Sequence, residues 1–168
     1  LEALHLFDLQ MDQVEVWVHP QSVVHSMVEL VDGSVLAQMG PPDMRTPIQY
    51  ALSWPDRLPR AWSRLGLAAC RQLTFEEPRW EDFPCLSLAF EAGRVGGTMP
   101  AVLNAANEVA VARFLKQEIG FDGIPGTIRS CMDAHRVVPE PTLADLEAAD
   151  REARELAQHH PVGRGPSD

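Results

Sequence analysis

The chain has 168 residues, 45% of them apolar and 23% charged, enough to bury a real core and too rich in apolar residues for wholesale disorder. Its formal net charge of −10, with Lys116 as the single lysine, excludes the clustered basic face that nucleic-acid binding needs. No apolar run is long enough to cross a membrane, Leu1–Glu2–Ala3 does not read as a signal peptide, and Cys70, Cys85 and Cys131 form neither a CxxC pair nor an even disulfide framework, so the expectation is a soluble protein of the reducing cytoplasm.

Leu1–Leu9 reads as the tail of a helix, cut rather than begun because no N-cap precedes it, with Leu1, Ala3, Leu4 and Phe7 on one side. Val14–Val18 is β-branched and aromatic, a strand by composition. Two further strand-like runs between Val23 and Gln38 flank Asp32–Gly33, a dipeptide suited to a type I′ hairpin turn with positive φ at both central residues. Thr46 then caps a short helix, with Pro47 in its first turn, and Trp54–Pro55 ends it. From Pro55 to Trp80 the pattern loses its period, while Trp62, Leu65, Leu67, Leu73 and Phe75 suggest a stretch that packs across a surface.

The remainder is helical. Pro84–Val95 is one helix, stopped by Gly96–Gly97. Pro100–Ile119 is a longer one, with Val102, Ala105, Ala106, Val109, Val111, Ala112 and Leu115 as a broad apolar stripe. Asp122 caps a third helix that carries Ile128, Cys131 and Met132. Thr142-Leu-Ala-Asp145 resembles a capping box and opens a last helix with Leu146, Ala149, Ala153 and Leu156 inward. The fold class is therefore α+β: a strand-rich piece over residues 1–54, a linker over 55–80, a bundle of about four helices over 81–160, and a tail at 161–168 expected to be disordered.

Few residues stand out chemically. His25, beside Val23, Val24 and Met27, reads either as a hydrogen-bonded structural histidine or as a donor aimed at a ligand. His19, before Pro20, reads as a turn-holding residue, and the pair lacks metal-binding helix spacing. Met44 sits in a loop stiffened by Pro41, Pro42 and Pro47. It either plugs a gap or covers a flat ring, a sulfur–aromatic contact worth about 0.3–1.5 kcal/mol. Pro42 would share that wall, and Asp43 and Arg45 would pair as loop scaffolding. Asn104 and Asn107–Glu108 read as buried amides that lock the bundle. Glu2 alone reads as a surface residue, and the acidic run from Asp145 to Glu155 as a solvated face paired with Arg151 and Arg154.

Five blocks carry a resemblance. They are Val18-His-Pro-Gln-Ser-Val-Val-His-Ser-Met-Val28, Asp32-Gly-Ser-Val-Leu-Ala-Gln38, Pro42-Asp-Met-Arg-Thr-Pro-Ile48, Pro84-Cys-Leu86 and Leu103-Asn-Ala-Ala-Asn-Glu108. Over nearly the whole chain, to about His160, the sequence resembles the 1-deoxy-D-xylulose 5-phosphate reductoisomerase family. Enzymes of that family rearrange 1-deoxy-D-xylulose 5-phosphate and reduce the product with NADPH to 2-C-methyl-D-erythritol 4-phosphate, aided by Mg²⁺ or Mn²⁺, in non-mevalonate isoprenoid synthesis. The resemblance implies that residues 1–54 match the end of a catalytic and dimerisation domain and residues 81–160 a C-terminal helical domain. It also implies a homodimer paired through sheet strands.

Residue by residue, His25 matches the family's active-site histidine, which supports substrate and metal-ligand geometry. Pro42 and Met44 match a pair near the nicotinamide and the substrate. Glu2 matches the second glutamate of an Asn-Lys-Gly-Leu-Glu-x-x-Glu-Ala segment, near the metal cluster without being its usual ligand. The family's phosphate-binding Asn and Lys, its metal ligands and its Gly-rich nucleotide loop have no match from Leu1 onward. The 168 residues alone are thus expected to turn over nothing. The alternative is a non-enzymatic helical module for assembly or protein binding, which explains the acidic charge and the helices equally well but not a stiff loop that presents Met44 close to His25.

Overall fold

In the computed structural model, which describes residues 1–66, 68 and 70–161, the chain runs α1 (Glu2–Phe7), a 3-10 turn (Met11–Gln13), β1 (Val24–Glu29), β2 (Val35–Met39), α2 (Arg45–Ser53), α3 (Pro84–Val95), α4 (Met99–Leu115), α5 (Gly123–Ala134) and α6 (Leu143–His159). It divides into two units. A helical unit joins Leu1–Glu15 to the chain from Arg79 onward, and a hairpin unit spans Val16–Pro78. Of the tail at 161–168, residues 162–168 lie outside the described residues, as does Leu67 of the connecting stretch.

The helical unit is built around α4, which packs against α3, α5 and α6. Ala105, Ala106 and Ala110 on α4 and Ala149, Ala153 and Ala157 on α6 are all buried, and such small side chains let two helix axes approach closely. Val102, Ile128, Cys131 and Met132 fill the space between the helices. Cys131 donates its thiol hydrogen to the Ala153 carbonyl at 3.7 Å, and burial pushes its pKa up, as it does for Cys85. At Gly93 of α3 the missing side chain leaves room for Met11, Leu4 and Leu1, which accounts for the grouping of the first residues with the helices.

Several expectations hold locally and fail at the tertiary level. The capping box of α6 forms as read: Thr142 N donates to Asp145 Oδ2 at 2.8 Å and Asp145 N to Thr142 Oγ1 at 3.3 Å. Ala112 and Leu115 of α4 face outward rather than inward, because packing against three neighbours, not the average period, selects the buried face of that helix, and Leu156 of α6 is exposed as well. Arg113 is buried in their place. Its guanidinium donates to the Ala157 carbonyl at 2.7 Å and the His160 carbonyl at 3.0 Å, satisfying groups that the end of α6 leaves unpaired. Asn104 is exposed and bonds Glu108, which in turn pairs with Arg154, so it does not lock the interior.

The hairpin unit has a two-stranded antiparallel sheet. Its turn differs from the expected I′ type. Gly33 alone takes positive φ (80°), Gly33 N donates to the Leu30 carbonyl, and Leu30 N donates to Ser34 O at 2.8 Å. This is the three-residue loop that closes on a left-handed glycine, with Asp32 Oδ1 accepting the Ser34 N–H at 2.9 Å. Val14–Val18 makes no strand of its own. Val18 and Glu76 exchange two backbone hydrogen bonds of 2.9 Å in an isolated bridge. Helix α2 starts at Arg45, earlier than Thr46 would set it, because the Asp43 carboxylate takes the Arg45 N–H at 3.0 Å.

Candidate functional site

The strand register decides where His25 stands. Val24 pairs with Met39 and Ser26 with Gln38, so three residues of β1 face two of β2 and His25 is the extra one. Such a β-bulge breaks the alternation of side chains and re-aims one of them. His25 is exposed there. Gly40 N donates to the Val23 carbonyl at 2.9 Å, closing the same open end of the hairpin from which the Pro41–Met44 loop departs. The histidine and the methionine loop therefore leave adjacent strands at one end of the sheet.

The loop is held by charge. Arg45 closes on Asp43 through three guanidinium hydrogen bonds of 2.6–3.1 Å, and the side chain of Asp43 is only 18% exposed. These bonds, with the Arg45 backbone N–H, hold the Asp43 carboxyl below the usual carboxylate range. Met44, between the two, is the N-cap residue of α2 and 70% exposed, and Pro42 is exposed beside it. The thioether is therefore presented outward rather than used as core filler. On the far side Trp62 donates its indole N–H to Thr46 Oγ1 at 3.0 Å, and its ring lies 5.0 Å from the Arg45 Cζ.

The turn leading into β1 is anchored too. Ser22 N donates to the His19 carbonyl at 3.0 Å, and Ser22 holds φ at 48°, a conformation uncommon for a residue with a side chain. His19 donates Nδ1–H to the Thr74 carbonyl at 2.7 Å, since a carbonyl only accepts, and its ring stacks on Phe75 at 4.7 Å. Gln21 grips Thr74 twice, donating to its Oγ1 at 2.9 Å and accepting its backbone N–H at 3.2 Å. His19 thus has the turn-holding position expected of it. The bulge at His25 and the part of Trp62 were not expected. A bulge is a property of two strands in register, and neither strand alone signals it.

Glu2 lies exposed in the first turn of α1, in the helical unit. Among the described residues no group of three or more His, Cys, Asp or Glu side chains converges as a metal ion requires, so the residues present do not fit Mg²⁺ or Mn²⁺. Pro42 and Met44 do fit the face of a flat ring, offering exposed apolar surface on a stiff loop. Among the described residues no helix is long and apolar enough to cross a membrane.

The family model for the DXP reductoisomerase C-terminal domain matches residues 39–156. The 1-deoxy-D-xylulose 5-phosphate reductoisomerase of Pelotomaculum thermopropionicum is 60% identical over 156 residues, covering 93% of this chain and 40% of that protein. Among solved structures, the reductoisomerase from Zymomonas mobilis in complex with NADPH superposes with a TM-score of 0.86 at 48% identity, over 94% of this chain and 42% of that one. A DOX-P reductoisomerase in complex with NADPH, fosmidomycin and magnesium superposes with a TM-score of 0.86 at 40% identity, over 93% and 40%. The chain spans about 40% of the length of the curated relatives it matches.

Proposed function

We propose, because this chain belongs to the DXP reductoisomerase family, that it is the C-terminal portion of an enzyme converting 1-deoxy-D-xylulose 5-phosphate to 2-C-methyl-D-erythritol 4-phosphate in the cytoplasm. The observation that carries the reading is the family match across residues 39–156, which includes the loop presenting Met44. NADPH, when bound, supplies the hydride. In this chain Pro42 and Met44 form an apolar wall against the nicotinamide and the substrate, and exclude water from one side of it. His25, re-aimed by its bulge, donates a hydrogen bond to the substrate and holds it in position. The divalent ion is held by segments other than this chain, and no step is assigned to it through the residues present. Residues 1–54 are the end of a catalytic and dimerisation domain, 55–80 a linker and 81–160 a C-terminal helical domain. The exposed faces of β1 and β2 support pairing of two copies through sheet strands.

The test is made in the whole protein carrying this chain. His25→Gln is expected to lower kcat about 100-fold, the scale of losing one positioned donor. Met44→Ala is expected to raise KM for NADPH about 2- to 10-fold, the scale of one sulfur–ring contact. Wild-type kinetics in both variants would overturn the assignment. The 168 residues alone are expected to show no substrate-dependent NADPH oxidation.

A further inference from the structure

The Met44 side chain is 70% exposed, and Met44 is the N-cap residue of α2, at φ −63° and ψ −17°, directly before Arg45 and Thr46. Arg45 grips Asp43, but the two are only two positions apart and the Arg45 side chain is 66% exposed. That pair closes the loop on itself and does not tie it to any more distant part of the chain. The restraint that comes from a distance is Trp62, sixteen positions beyond Thr46. Its N–H reaches Thr46 Oγ1 at 3.0 Å and its ring lies 5.0 Å from the Arg45 Cζ, within the reach of a cation–π contact. One half-buried side chain therefore touches both residues that follow Met44.

We infer that Trp62 is a positioning residue for Met44: by holding Thr46 through its N–H and Arg45 through its ring, it fixes the direction in which the thioether meets a bound nicotinamide. The inference rests on the reading of Met44 as ligand-facing. The two grips have different chemistry and are separable. Trp62→Phe keeps a ring under the guanidinium and loses the N–H, Trp62→Leu loses both, and Thr46→Val removes the acceptor without touching the ring.

The direct readout needs no cofactor. In the whole protein carrying this chain, with methionine methyl groups labelled with ¹³C, the Met44 signal is assigned by its disappearance in Met44→Leu. Trp62→Leu is expected to move that signal toward the position of a freely rotating methionine, with the other methionine methyls in place and the unfolding midpoint unchanged. Trp62→Phe and Thr46→Val are expected to give equal, smaller shifts that do not add in the double variant. In kinetics, Trp62→Leu is expected to raise KM for NADPH about 2- to 10-fold with kcat held, the signature of binding lost equally in ground and transition states. An unchanged Met44 methyl in both Trp62 variants overturns the inference. So does a raised KM in Met44→Ala that Trp62→Leu does not share. If Met44→Ala leaves KM alone, the ligand role of Met44 fails, while the methyl spectrum still decides whether Trp62 orders it.

Discussion

Between Leu88 and Ala157 the chain hides Ile128, Val102 and Cys131 to 2% exposure or less, whereas between Val16 and Pro78 no described side chain is buried, and Val28, Val35 and Leu36 are more than half open. The helical unit has a buried core of its own. The hairpin unit does not, and a lone two-stranded hairpin is marginal in water without a surface to rest on. His25, Pro42 and Met44, the residues with a case for touching ligand, all belong to the second unit. The buried core and the proposed ligand contacts thus fall on different stretches of one chain. The hairpin unit compensates for its missing core with hydrogen bonds and ring contacts: Gln21 and His19 on Thr74, Arg45 on Asp43, Trp62 on Thr46.

The largest effect should fall in the helical unit. Ile128→Ala removes a side chain that is 2% exposed and is expected to cost about 2–5 kcal/mol by denaturant melting of the chain. Leu36→Ala, at 61% exposure, is expected to stay within about 0.5 kcal/mol in the same experiment. Equal losses would erase the distinction between the units. Next comes the cap of α6: Thr142→Ala is expected to cost about 1 kcal/mol, since Asp145 then loses the hydroxyl its N–H donates to.

The smallest effect is that of acid, and it separates the units by readout rather than by size. Glu91 beside Arg129, Glu108 beside Arg154 and Asp145 beside Thr142 are held below their ordinary values in the helical unit, as Asp43 is by Arg45 in the hairpin unit. A carboxyl depressed by folding contributes stability that is fully present above its unfolded pKa and is lost as pH falls through the folded one. The loss therefore begins as pH drops below about 4 and grows beneath it. These groups are exposed, so the melting midpoint should fall only modestly there. Protonation of Asp43 should instead register as a changed Met44 methyl signal.

What the sequence made legible follows how local each interaction is. The Thr142–Asp145 box, the stop after Val95 and the start of α3 at Pro84 depend on a few neighbouring residues, and all appear as read. Val14–Val18 has strand composition, but a strand needs a partner along its length, and here Glu76 supplies one bridge. Asp32–Gly33 signalled a tight turn correctly and its type incorrectly, because the loop includes Val31 and places left-handed backbone at Gly33 alone. At the site, the stiff loop and the Asp43–Arg45 pair could be read from spacing. The bulge that makes His25 an extra residue, and the reach of Trp62 back to Thr46, are long-range facts with no local signature.

Hydrogen exchange read by mass spectrometry on the whole protein carrying this chain, with and without NADPH, tests the division of labour most directly. Peptides covering residues 99–115 and 143–159 should be strongly protected before cofactor is added and unchanged after it. Those covering 22–29 and 39–46 should begin weakly protected and slow when NADPH binds. A cofactor response confined to the helices, or hairpin amides already as protected as those of α4, would contradict the account.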